Sequence, residues 1–354
     1  MINEIIPQEI FETPDAIRAT VAETRAAARE AAAAIRARAP RRIFIIGNGT
    51  SLYSSMAAAY TARSLASEND PLVLALPSGD FRYYTPALAP SDVLVGVSAS
   101  GEFRDVLALF EEYRGRNLCV GISHVPGSSI TRLADHMLIS AGGVSEVPVM
   151  TKTYASTLTA AHLLMLETFL APDDWFADLI ASADRCHEAL EGSDAIMGEL
   201  VPRLAEMEHA FYFGGGPAYA AALEGALKMK EMALLHAEGS ETWEMASGPA
   251  TMVSENTFIA ALFTGGETDQ ATESGAEHAR DWGATVLEAG GRAEAGGWQI
   301  PVPAPKYEPF ATLGLIPPLA LLAFRVARQR GLNPDRPQWR ERYLSQGMSH
   351  ILGV

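Results

Sequence analysis

The 354 residues carry 27 Lys and Arg against 43 Asp and Glu, a formal net charge of −16, with 48% hydrophobic and 20% charged residues. So acidic a balance excludes a nucleic-acid binder, which needs a basic footprint, and the apolar content excludes a disordered chain. A small anion stays within reach, because a helix start can hold one phosphate without any net positive charge.

The opening residues MINEIIPQEIFETPDAIRAT mix acids with apolar residues and do not read as a signal peptide. Residues 14–38 are Ala-rich with scattered Arg and Glu, which predicts a helix that Pro40 stops. RRIFIIGNGTSL then predicts a strand at Ile43–Ile46, a turn at Gly47 and Gly49, and a helix opened by Thr50 or Ser51. A second strand at Val93–Val97 leads through Ser98-Ala99-Ser100-Gly101-Glu102 into an amphipathic helix, and NLCVGISHVPGSSITRLAD and HMLIS supply further strands and turns. Strands alternating with helices predict a parallel, doubly wound sheet.

The pattern then returns. AFYFGGG at Ala210–Gly216 lies over IFIIGNG at Ile43–Gly49, and Thr257–Gly265 lies over Val93–Gly101 at a nearly equal offset. This predicts an α/β chain of two doubly wound domains related by internal duplication. The expected bounds are an N-terminal helical segment over 1–40, a first domain over 41–170, an acidic helical link over 171–205, a second domain over 206–332 and a C-terminal tail over 333–354. Thr312 to Ala327 is the most apolar stretch. It is short and carries Pro317, Pro318 and Arg325, which fits a buried helix better than a membrane span. Cys119 and Cys186 are the only cysteines, which predicts idle thiols in a reducing cytoplasm. The eight histidines show no metal-ligand spacing, so no metal or cofactor is implied.

Two constellations carry chemistry. GNGTSL lacks the third glycine of a dinucleotide fingerprint, and no acid ends the next apparent strand, PLVLAL. A monophosphate cradle is the better reading. Thr50, Ser51, Ser98 and Ser100 are expected at two adjacent helix starts, beyond the carboxyl ends of neighbouring strands. Taken singly, each could equally be an ordinary helix cap. Within residues 223–249, read as helix, Glu224, Lys228 and Glu231 share one face at i, i+4 and i+7. Such alternation usually marks a solvated face. Here Leu223, Ala226, Leu227, Met229 and Met232 surround it, so the helix reads as buried, and buried carboxylates and amines must pair.

With these residues in view, GNGTS, SASGE, VPGSS-x4-D, the Glu146–Lys152 segment and above all ALEGALKMKE-x4-HAE-x5-E-x3-GP resemble the sugar isomerase (SIS) family. The similarity is to the isomerase half of glutamine–fructose-6-phosphate amidotransferase, with the related amino-sugar-phosphate deaminases and fructosamine-6-phosphate deglycases. It runs from about residue 40 to Pro337. The glutaminase half has no counterpart, so glutaminase activity is not expected. The resemblance implies that Ser51, Ser98 and Ser100 hold phosphate oxygens, with Gly49 and Thr50 in the loop, and that the backbone near Val149 and Lys152 lines the sugar. It makes Glu231 the enediol base and Lys228 the group that handles a substrate oxygen. His236 lies nearby, where the family also has a histidine.

The departures bear on the ligand. Ser247-Gly248-Pro249 stands where the family has His-Gly-Pro, the histidine associated with ring opening. Ser98-Ala99-Ser100-Gly101-Glu102-Phe103 replaces Ser-Gln-Ser-Gly-Glu-Thr and is followed by Arg104, and Arg342 stands nearest to the family's tail lysine. The expectation is a cytoplasmic homodimer that isomerises an aldose and a ketose through an enediol, on a sugar with an anionic end, a 6-phosphate first. The alternatives are an amino-sugar-phosphate deaminase or deglycase, an isomerase of a sulfonated or otherwise non-phosphate acidic sugar, and a non-catalytic sugar-phosphate sensor. Neither a nucleic acid nor a membrane is expected as partner.

Overall fold

The computed structural model describes residues 4–143, 145–290 and 297–345, the last four through their backbone alone. Among the described residues one unit takes in 15–146, 152–180 and 338–345, and the other 4–14, 147–151 and 181–337. Each is built round its own five-stranded parallel sheet.

Two helices open the chain, α1 (Ile5–Phe11) and α2 (Thr13–Ala37), where the sequence pattern predicts one from residue 14. Seven residues with a proline cannot hold a helix by propensity. What holds α1 is tertiary: Ile6 and Ile10 are buried, and the Asp335 carboxylate accepts the N–H groups of Ile5 and Ile6, each at 3.0 Å. Two amides that a helix start leaves orphaned are thereby satisfied.

The first-sheet unit continues as β1 (Arg42–Gly47), α3 (Thr50–Leu65), β2 (Leu72–Pro77), α4 (Ser78–Tyr84), β3 (Val93–Val97), α5 (Arg104–Tyr113), β4 (Leu118–Ser123), α6 (Ser129–Leu133), β5 (His136–Ile139) and α7 (Lys152–Thr168). Strand order is β2-β1-β3-β4-β5. Strands β1, β3 and β4 are apolar at nearly every position because helices cover both faces of a parallel sheet. On one face Phe44, Ile46, Leu94 and Cys119 pack with Phe81, Val106 and Phe110. The order reverses between β1 and β3, which opens a crevice beyond their carboxyl ends.

A single 34-residue helix, α8 (Asp173–Glu206), spans the acidic stretch. The second-sheet unit then runs β6 (His209–Phe213), α9 (Pro217–Ala233), β7 (His236–Ser240), α10 (Thr242–Ala246), β8 (Thr257–Leu262), α11 (Asp269–Asp281), β9 (Thr285–Ala289), β10 (Trp298–Ile300) and α12 (Ala311–Gln329); the last described element is α13 (Gln338–Ser345). Its strand order, β7-β6-β8-β9-β10, repeats the connectivity of the first sheet. The stretch 223–249 is helical only to Ala233: Leu234 turns left-handed at φ 50°, and the chain re-enters the sheet as β7. α9 lies close on that strand because Gly239 has no side chain; a Cβ there would stand 2.6 Å from Leu223 Cα. Among the described residues α12 is the one helix long and apolar enough to cross a membrane, and it is enclosed as core against α9. Cys119 and Cys186 are buried free thiols, and burial, first of all, pushes the Cys119 thiol up to about 12.

Candidate active site

In the first-sheet unit, Gly49 caps α3 at φ 52° and ψ −129°, backbone that a side chain would strain. Thr50 and Ser51 follow, buried in the first turn where the helix presents its positive end. On the neighbouring strand the structure corrects the expectation of a second helix start. Ser98 to Phe103 form a turn instead, with Gly101 at φ 70° donating its N–H to Ser98 O at 3.0 Å, and α5 begins only at Arg104. Ser98 Oγ accepts the Phe103 N–H at 3.4 Å and Ser100 Oγ accepts the Glu102 N–H at 3.2 Å. A hydroxyl that accepts in this way keeps its own proton to donate. Both serines are therefore set up as donors, as an anion requires.

The turn is fastened to the loop after β4. Ala99 O accepts from Ser123 Oγ at 2.9 Å and from the His124 N–H at 3.2 Å. The Glu102 carboxylate accepts the Ser129 N–H at 2.7 Å, and the bonds to Ser129 hold its pKa below the usual value. Glu102 is thereby engaged with the loop, and Arg104 is exposed at the first position of α5. Two neighbours escaped sequence reasoning. Asn48 Nδ2 donates to Ser78 Oγ at 2.5 Å and so fixes the turn after β1. His124, half-buried at the same sheet edge, has a buried Nδ1 with no hydrogen-bond partner among the described residues, and burial pushes its pKa down. A lone histidine after an apolar run carries no spacing signal; only its place at a strand's carboxyl end could have marked it.

Lys152 opens α7 in this unit, half-buried, whereas Val149 is fully buried and belongs to the second-sheet unit.

The second-sheet unit holds the acid–base cluster. On α9 the Lys228 ammonium lies 3.1 Å from Glu224 Oε1 and 2.6 Å from Glu231 Oε2. Glu224 and Lys228 are 0% and 1% exposed, while the Glu231 side chain is 27% exposed. Burial alone would push the Lys228 pKa down, but the two carboxylates more than reverse this and hold it above the usual lysine value. Lys228 is therefore a fixed cation at neutral pH, suited to steady negative charge and unsuited to act as a base. Glu231 is the member of the trio that solvent, and hence a substrate, can reach.

Connectivity places this cluster at the edge of the second sheet opposite its own crevice, since α9 runs antiparallel to β6 and β7 and Glu231 lies in its last turn. His236 opens β7 at that edge, on a strand and not on the helix; it is exposed, its ring 5.5 Å from that of His209. Ser247 lies at the other end of β7, beyond α10, exposed and donating its hydroxyl to Trp243 O at 2.7 Å. The length of a strand thus separates Ser247 from the Glu231 edge within this unit. Arg342 lies outside the residues whose side chains are described.

The sequence profile of the SIS domain matches residues 37–167 and 203–287. The chain belongs to the SIS domain family. Over 338 residues it is 31% identical to the glutamine–fructose-6-phosphate aminotransferase [isomerizing] of Methanothermobacter thermautotrophicus, covering 94% of this chain and 55% of the relative. The chain thus spans about half the length of the curated relatives it matches. It superposes on the C-terminal domain of glucosamine-fructose-6-phosphate aminotransferase from Francisella tularensis with a TM-score of 0.85 at 23% identity, covering 94% of this chain and 98% of that one. It also superposes on glucosamine-6-phosphate deaminase from Thermotoga maritima, TM-score 0.73 at 22% identity, covering 92% and 97%. These likenesses establish the SIS fold.

Proposed function

We propose that this SIS protein is an aldose–ketose isomerase that works through an enediol on a sugar with an anionic end, a 6-phosphate first. The observation that carries the reading is the Lys228–Glu231 pair, a buried permanent cation 2.6 Å from a partly exposed carboxylate. Isomerisation moves one proton between adjacent carbons while charge develops on their oxygens. Glu231 supplies the base, and the buried Lys228 cation behind it favours the developing negative charge through space, without touching the substrate. The donor-oriented hydroxyls of Ser98 and Ser100 suit the anionic end, and the name of the Methanothermobacter relative supports a sugar-phosphate substrate class. A homodimer belongs to the same reading, with exposed Trp243 and Met252 as apolar surface for a second copy.

Ser247, turned onto its own helix where the family has a histidine, favours a second reading. A substrate that arrives in open-chain form needs no ring-opening group, and the same pair would then carry a fructosamine phosphate through its enaminol to an aldimine, which water hydrolyses to the aldose phosphate and the free amine. One experiment serves both readings. The protein is incubated in heavy water with a panel of anionic aldoses, ketoses and fructosamines, and deuterium at C1 or C2 reports the enediol whatever the product. Glu231→Gln is expected to lower turnover and exchange by about 10² to 10⁴-fold while substrate binding persists. Unchanged exchange in the folded variant refutes the assignment.

A further inference from the structure

The second sheet repeats the crevice of the first in its backbone. Gly216 caps α9 at φ 56° and ψ −134°, against 52° and −129° at Gly49. In the turn after the next strand Gly265 has φ 83°, one residue earlier than Gly101 with 70°. The strand order reverses between β6 and β8 as it does between β1 and β3.

The side chains differ. Pro217 and Ala218 stand in the positions of Thr50 and Ser51, and by strand register Phe263 and Gly265 stand in those of Ser98 and Ser100, one residue later than the sequence overlay puts them. What the second crevice lacks in hydroxyls it holds in carboxylates. The N–H groups of Thr264 and Gly265 donate to Asp269, at 3.1 Å to Oδ1 and 2.8 Å to Oδ2. The Thr264 hydroxyl donates to Glu308 Oε1 at 2.7 Å. The Glu308 carboxylate lies over the turn itself. A Cβ on Gly216 would stand 3.2 Å from Oε1, and one on Gly266 only 2.2 Å from it.

We infer that Glu308, with Asp269 beside it, is the resident anion of the second crevice: the chain fills with its own carboxylates the place that the first crevice leaves to a ligand. A tethered carboxylate meets its partners at an effective concentration that millimolar phosphate does not match. It also ties the start of α12 to the sheet, since Glu308 lies three residues before that helix. A chain with two matching crevices therefore takes up one anionic ligand. The count of one rests on the function proposed above; the filling of the second crevice does not.

Equilibrium dialysis of the whole protein with orthophosphate tests the inference. Glu308→Ala is expected to bind one more phosphate per chain than the unmodified protein, and phosphate is expected to raise its melting temperature by several degrees more. Repeating the comparison in a Ser98→Ala/Ser100→Ala background separates the two readings, because the added phosphate should appear there even if the first crevice binds none. A folded Glu308→Ala that gains no phosphate overturns the inference. A tungstate soak of crystals of the unmodified protein needs no variant: no oxyanion at Gly216 and Gly265 supports the inference, and density there overturns it.

Discussion

Replacing Lys228 by Met should separate what the α9 cluster does for stability from what it does for chemistry. Across 3.1 Å to Glu224 and 2.6 Å to Glu231, the Coulomb attractions are about 5 and about 6 kcal/mol at an effective dielectric of about 20. Desolvating each buried ion opposes them by several kcal/mol. Removing the ammonium alone leaves that opposing cost uncompensated at Glu224, which water does not reach, whereas Glu231 stays partly hydrated. The expected loss is about 3 to 5 kcal/mol. At an m-value of about 3 kcal/mol/M it lowers the urea midpoint by roughly 1 to 1.7 M, measured by tryptophan fluorescence. Lys228→Met/Glu224→Leu removes both buried charges and should regain most of that loss, a coupling of about 3 kcal/mol in a double-mutant cycle. Both variants should fail to exchange substrate deuterium, so the double variant would be stable and inactive. A single variant within about 1 kcal/mol of the unmodified protein, or a double variant no more stable than the single, refutes the reasoning.

Three further outcomes are expected. Ser100→Ala should raise KM more than it lowers kcat, because the anion is gripped equally in the ground and transition states; steady-state kinetics with KM unchanged would place the anion elsewhere. His162 is enclosed in α7 with Nδ1 2.8 Å from Thr61 Oγ1, and burial pushes its pKa down to about 3 from 6.5. Between those values the unfolded chain binds a proton that the native protein refuses, so stability falls with falling pH by up to about 1.4 kcal/mol per unit. His162→Gln should flatten that slope in urea titrations. Gly239→Ala drives a Cβ to 2.6 Å from Leu223 Cα, should cost about 1 to 3 kcal/mol, and should lower kcat by moving the helix that carries Lys228 and Glu231; a melting curve and a rate measurement check both.

Sequence legibility followed the range of the interactions. Strand β3 occupies Val93–Val97 as predicted, because a strand buried on both faces writes itself as an unbroken apolar run. Gly49, and Gly216 through its overlay on Gly49, are legible as turns because their backbone angles demand glycine. The pairing of Lys228 with its two glutamates could be counted off the helix period, but which glutamate stays in reach of solvent could not, since packing against α12 and β7 decides that. Helix α1 is not legible in its own seven residues because its stabilising partner, Asp335, is 330 positions away. Residues 236–240 read with the helix before them, since HAEGS has no strand alternation and owes its conformation to pairing with β6. The turn at Ser98–Phe103 reads as a helix start because its governing bonds come from the loop after β4, out of reach of local sequence.

The capping of α1 by Asp335 has a consequence for biosynthesis. Residues 5–11 emerge from the ribosome 330 residues before the carboxylate that caps them. At about 5 to 20 residues per second they wait roughly 15 to 65 seconds for it, through the whole synthesis of the first sheet. During that time Ile6 and Ile10, buried in the finished protein, face solvent on a segment too short to stay helical alone. The unit to which α1 belongs can close only after Asp335 has been made, and until then Ile6 and Ile10 are open to any agent that binds or cuts exposed apolar chain.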